Sequence, residues 1–286
     1  MPVRQSALFA SLLLVLGAGA IARPAQAQAL LPYILPLDEA RLENDGLSLA
    51  QDAAQLAQFQ QYEEALARAE LAAQLAPNDA QVLALLGSLQ LQLGETADAI
   101  PTLEKAKRLE RDNALVWFAL GSAYFSEGKY LQAADSLETG LDLEPENAGA
   151  RFDLGNAYYR LTRYQQAIDQ YESAVEYDET LWPAVNNIGL VLYEQGDVEG
   201  AIAKWRESLE LSEEEQSEPQ LAIAVALYAQ GSQQRQAVDE ATAALERDSR
   251  YADIEFLEEN LWGSRLIDAT KQFFETPALQ ALLAQL

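Results

Sequence analysis

Six carboxylates, Glu207, Glu210, Glu213, Glu214, Glu215 and Glu218, fall within twelve residues with no basic side chain among them. Oxygen donors at that density could hold a divalent cation loosely or dock a basic partner. The same run also reads as a solvated helix end and loop, the ordinary fate of a charge run. It lacks the Asp, Asn and Gly spacing of a calcium loop, so neither a tight metal site nor a cofactor is expected. Paired carboxylates could act as acid and base. With no second catalytic domain to supply a substrate pocket, no enzyme activity is expected.

Composition removes other chemistries. The 286 residues contain no His and no Cys, which excludes disulfides, thiolate metal sites, a cysteine nucleophile and a lipid-bearing cysteine. It also removes the commonest general base. With 45 acidic and 19 basic side chains the formal charge is −26, which repels phosphate backbones, so no nucleic acid is expected as a partner. At 49% hydrophobic and 22% charged residues, the chain has the balance of a globular protein.

The amino terminus has the parts of an export signal. Arg4 precedes a 16-residue uncharged stretch from Ala7 to Ala22, followed by small-residue sites ending at Ala27 and Ala29. The stretch is shorter than the ~20 residues of a spanning helix, yet an uncleaved anchor could tilt or thin the bilayer. Cleavage would place the protein in a periplasm or thylakoid lumen; retention would leave it membrane-anchored. Residues 1–29 are therefore read as signal or anchor, and 30–45, with Pro32 and Pro36, as a linker.

A period of 34 residues organises the rest. In registers starting at Gly46, Ala80, Ala114, Ala148 and Trp182, position 8 reads Ala53, Gly87, Gly121, Gly155 and Gly189. Position 20 reads Ala65, Ala99, Ala133, Ala167 and Ala201, and position 27 reads Ala72, Ala106, Gly140, Ala174 and Ser208. In-phase small residues mark where two antiparallel helices approach most closely, because a bulky side chain would hold them apart. Gly94, Gly128 and Gly196 suit the positive φ of a helix stop, and Pro77 and Pro145 end second helices.

These columns resemble the tetratricopeptide repeat. The third unit carries nearly the whole pattern in Trp117, Leu120, Gly121, Tyr124, Ala133, Leu137, Gly140 and Pro145. The fourth departs at Arg151, where a large aromatic is usual, and at Glu179; the first carries Asp52 at an apolar position. A sixth unit from about Glu218 needs a one-residue shift and uses Ala237, Ala241 and Ala244. The resemblance implies an all-α, right-handed superhelix of five to six repeats over 46–249. Residues 250–286 are then read as capping helices that seal its apolar end.

What the resemblance implies for function is a groove lined by positions 2, 5, 9, 12 and 13 of each first helix. Its richest stretch gives the candidate partner-binding set: Phe118, Ser122, Phe125, Phe152, Asn156, Tyr159, Arg160, Asn186, Leu190 and Tyr193. Rings supply area and amides bond a peptide backbone, although aromatics at helical spacing also serve a core. The basic clamp by which adaptor members hold a carboxyl terminus is absent, since position 5 reads Ala50, Ala84, Phe118, Phe152 and Asn186. The asparagine ladder of another subtype is absent too, with only Asn187 at position 6.

The expected function is an exported scaffold that binds a protein or peptide in its groove and assists assembly or membrane retention of a complex. The layout, with the tail ENLWGSRLIDATKQFF, also resembles cyanobacterial and chloroplast factors for photosynthetic-membrane biogenesis. One of those associates with the light-dependent protochlorophyllide reductase. The rival expectation is an acidic periplasmic or lumenal protein that handles divalent metal while docking a membrane complex. Oligomeric state stays open.

Overall fold

The computed structural model describes residues 38–212, 215–231 and 233–286. The signal or anchor expected over 1–29, and the first half of the expected linker, lie outside them. Among the described residues the fold is helical without strands, and no helix is long and apolar enough to cross a membrane.

Six antiparallel helix pairs follow one another. They are α1 (Glu39–Gln58) with α2 (Tyr62–Leu75), α3 (Ala80–Gln92) with α4 (Thr96–Leu109), and α5 (Ala114–Ser126) with α6 (Tyr130–Leu143). Then come α7 (Ala148–Arg160) with α8 (Tyr164–Tyr177), α9 (Trp182–Gln195) with α10 (Val198–Leu211), and α11 (Ser217–Gln230) with α12 (Gln234–Arg247). A 3-10 turn at Ser249–Ala252 leads to α13 (Ile254–Glu259), α14 (Ser264–Phe274) and α15 (Pro277–Leu283). Helix α1 starts at Glu39, inside the stretch read as linker, and extends seven residues ahead of Gly46.

Each pair is built by the periodic columns. At position 8 an added Cβ would lie 2.5 Å from Leu103 at Gly87, from Leu137 at Gly121 and from Tyr171 at Gly155. At Gly189 it would overlap the Trp205 indole. The second helix therefore rests a position-24 side chain directly on the backbone of the first. Position 15 is left-handed in every unit, and two of its occupants are not glycine: Gln60 at φ 60° and Thr162 at φ 58°. Position 34 caps the next first helix, with Asp79, Asn113 and Asn147 accepting from the backbone N–H of Val82, Leu115 and Ala150.

The departure at Arg151 conserves a bond. Trp117 donates its indole N–H to the Arg111 carbonyl at 2.8 Å. One unit later Arg151 donates to the equivalent Pro145 carbonyl through Nε at 2.9 Å and Nη2 at 2.6 Å. Both are long side chains with a terminal N–H, and both tie a first helix to the loop before it.

A half-closed groove as the candidate functional site

First helices touch first helices along the array, α1 with α3, α3 with α5 and α5 with α7, and together they form the wall that carries the candidate residues. The structure divides those residues into two groups. Phe118, Ser122, Phe125, Phe152 and Arg160 are half-buried, and Leu115 beside them is 63% exposed. Asn156, Tyr159, Asn186, Leu190 and Tyr193 are buried. As surface contacts for a partner, these five are corrected to interior residues.

The reason differs by side chain. Asn156 accepts from the Tyr171 hydroxyl at 2.8 Å and from Asn187 Nδ2 at 3.0 Å. Asn186 donates to Asn187 Oδ1 at 3.1 Å, and its carbonyl accepts from the Trp205 indole at the same distance. These amides are held in an internal network, as buried polar groups must be. Leu190 is only 1% exposed and belongs to the main core. The half-buried rings are also partly engaged: Phe118 lies on Gly140, Phe125 is 5.3 Å from Tyr130, and Phe152 is 5.8 Å from Tyr171. Ser122 donates to Asp153 at 3.1 Å, and burial raises the Asp153 carboxyl against that hydrogen bond, which lowers it.

The wall of α9 and α11 is covered by the chain's own tail. Helix α14 lies across both, and α15 lies on α12, so the tail does more than seal the last helix pair. Amphipathic spacing explains the seat: Leu266, Ile267, Thr270, Phe273 and Phe274 are buried on one face of α14. Glu194 accepts from the backbone N–H of Leu266 at 3.1 Å and of Arg265 at 3.3 Å, placing a carboxylate on the positive end of α14. Gly263 permits this approach, because a Cβ there would overlap the Glu194 carboxyl. Arg265 extends over the Tyr193 ring at 5.6 Å, and Arg160 donates to the Glu258 carbonyl at 2.7 Å.

Beneath the turn before α14, Trp262 is buried and donates its indole N–H to Glu218 at 3.2 Å. Burial pushes the Glu218 carboxyl up to about 7, against hydrogen bonds from Asn186 and Trp262 that pull it down. Among the described residues of the acidic run, three carboxylates go to different partners. Glu207 pairs with Lys204 at 2.8 Å, Glu215 pairs with Arg247 of α12, and Glu218 turns inward. Among the described residues no group of three acidic side chains converges to hold a metal ion.

Sequence reasoning missed Glu194, Glu218 and Arg247 as structural contacts. Glu194 sits at position 13, one unit after Arg160, so its place on the inner wall follows from the register. Its ligand, the start of α14, lies 71 and 72 residues away and has no counterpart in the repeat.

Comparison with known proteins bears on the repeat fold. Two models described as tetratricopeptide repeat match residues 56–122, 118–186 and 186–252, together more than two thirds of the chain. PilF of Pseudomonas aeruginosa is 17% identical, with 78% of this chain and 98% of that one covered at a TM-score of 0.61. MamA of Desulfovibrio magneticus RS-1 is 22% identical, with coverages of 61% and 96% at 0.53. YrrB, titled a TPR protein with an unusual peptide-binding site, is 18% identical, with coverages of 68% and 98% at 0.53. At such identities these likenesses show the fold alone. No curated protein matches the sequence. The six pairs, their 34-residue register and the matched models make this chain a member of the tetratricopeptide repeat family.

Proposed function

We propose that the protein is an exported, non-catalytic scaffold whose partner lies on the open part of the wall, from α3 to α7. The observation that carries this reading is the half-closed groove. Leu115, Phe118, Phe125 and Phe152 form an accessible apolar stretch, and it ends where the tail takes over. Half-buried rings and the exposed Leu115, on a wall that also carries Ser126 and Gln92, suit a peptide segment with alternating apolar contacts. The formal charge of −26 adds long-range attraction for a cationic partner and affects its rate of arrival more than its final affinity. Assembly or membrane retention of a complex, a photosynthetic one included, is the role this reading assigns. Export rests on the apolar stretch from Ala7 to Ala22 and is checked by sequencing the amino terminus of the mature protein.

The groove is tested by a photoreactive residue placed at Leu115, with a second probe at the exposed Glu199 of α10 as control. One dominant adduct at Leu115, lost when Phe125 and Phe152 become alanine, supports the reading and identifies the partner. Adducts from Glu199 alone, or adducts at Leu115 indifferent to both changes, remove the groove as the working surface.

A further inference from the structure

The open wall from α3 to α7 is almost empty of charge, although the chain holds 45 acidic side chains. Helices α3 and α5 carry no Asp, Glu, Lys or Arg at all. Helix α7 carries Arg151, Asp153 and Arg160. Both arginines are engaged, Arg151 with the Pro145 carbonyl and Arg160 with the Glu258 carbonyl. Asp153 is half-buried at position 6 and uses one carboxylate oxygen. Its Oδ2 accepts from Ser122, and its Oδ1 has no hydrogen-bond partner among the described residues.

The neighbouring rung shows the same positions satisfied. Position 9 of one first helix meets position 6 of the next, 31 residues on, at both places. Between α7 and α9 the pair is Asn156 and Asn187, and the Tyr171 hydroxyl and the Asn186 amide complete it. That rung is neutral and buried. Between α5 and α7 the pair is a hydroxyl and a carboxylate, both half-buried. A carboxylate drawn partly out of water is costly until a cation or further donors meet it. Phe118 and Phe125 stand a turn before and a turn after Ser122 on α5, so rings flank the serine along the helix.

We propose, resting on the reading of the open wall as the partner's surface, that Asp153 receives the ammonium of a lysine side chain of the partner, between apolar contacts on Phe118 and Phe125. A lysine fits better than an arginine, because a guanidinium prefers two parallel acceptors and Oδ2 is already taken. The ammonium has three donors, and those that Oδ1 leaves over can turn to the lone pairs of the Ser122 hydroxyl and to water. The formal charge of −26 draws a basic segment in, and Asp153 fixes where along the wall its charge comes to rest.

The test is a titration with the peptide Ac-Leu-Lys-Leu-NH2 and with its ε-acetylated form, followed through the methyl resonances of Leu115 and the side-chain carboxyl resonance of Asp153. The expected result is saturable shifts at Leu115 with the lysine peptide, an Asp153 carboxyl that titrates lower once the peptide is bound, and affinity at least about tenfold lower after acetylation. D153N should lose a similar factor, whereas E199Q, which removes one exposed charge from α10, should not. Acetylation carries the test on the unaltered protein if D153N does not fold. Equal binding of the two peptides, or undiminished binding in D153N, with Leu115 still responding, would overturn the lysine site and leave the groove standing. No response at Leu115 to either peptide would remove the groove and the lysine site together. Binding that E199Q weakens as much as D153N would assign the attraction to overall charge and overturn the site as well.

Discussion

Leu115 on α5 and Leu190 on α9 both occupy groove positions of the 34-residue register, yet one is 63% exposed and the other 1%. The helices that carry them are built from the same columns. Leu115 stands at position 2 and Leu190 at position 9, where Asn156 of α7 is buried too, and the tail lies over α9 and α11 and reaches back to Arg160 of α7. A register position therefore states which way a side chain faces; whether that face is surface or core depends on the position and on what else the chain lays upon it. In the amino-terminal half the wall remains available to a partner. In the carboxy-terminal half the protein supplies its own amphipathic helix.

The comparison is broken most forcefully by removing residues 254–286. Leu257, Leu261, Trp262, Leu266, Ile267, Phe273, Phe274 and Leu279 are all buried, and each such side chain contributes about 1.5–3 kcal/mol. Hydrogen exchange should then show α9–α12 losing protection while α3–α6 keep theirs; equal protection throughout would make the tail incidental. Next in size, Leu190→Ala should cost about 2–5 kcal/mol of stability in a denaturant titration. Leu115→Ala should change stability by less than about 0.5 kcal/mol. Similar costs at both sites would erase the distinction between the halves.

Glu218 gives a pH signature confined to the closed half. Its folded-state carboxyl is raised to about 7 from an ordinary 4.5, so the folded state holds a proton that the unfolded state has released. Stability from this group is therefore greatest below about 4.5, falls as pH rises, and is lost above about 7. The full effect is at most about 3 kcal/mol, less for the part of the side chain that water reaches. Glu218→Gln should flatten that slope in thermal melts between pH 5 and 8, and an unchanged slope would place the titration elsewhere. A local backbone effect is expected at Thr162, where a β-branched residue holds φ at 58°. Thr162→Gly should stabilise by about 1 kcal/mol, measured against Gly128→Ala, which should destabilise by a similar amount.

Much of the fold was legible because it repeats. Gly87, Gly121, Gly155 and Gly189 mark the close approach, and Gly94, Gly128 and Gly196 the left-handed stops, in columns that a single chain displays several times. Gln60 and Thr162 take the same left-handed conformation without a glycine to announce it, each in the short turn between the two helices of its own pair. Arg151 looked like a departure because its residue type differs; the bond it makes does not. Of the candidate groove residues, the direction was readable and the burial was not. Asn156 and Asn187 form one rung of a polar network that position-by-position reading separates. Tyr193 and Glu194 meet Arg265 and the start of α14 through contacts that have no period at all. The pairing of Glu215 was illegible for a similar reason, because Arg247 reaches it from 32 residues away.

The tail's contacts also set the order of events as the chain folds. Through α6, each helix pair needs only its neighbours, so this part can form as soon as it emerges from synthesis. The closed half cannot, since Arg160 waits for Glu258, 98 residues later, and Glu194 waits for Leu266, 72 residues later. Until then α9 and α11 hold an uncovered apolar surface, and in that interval the nascent protein is most exposed to aggregation and to capture by a chaperone.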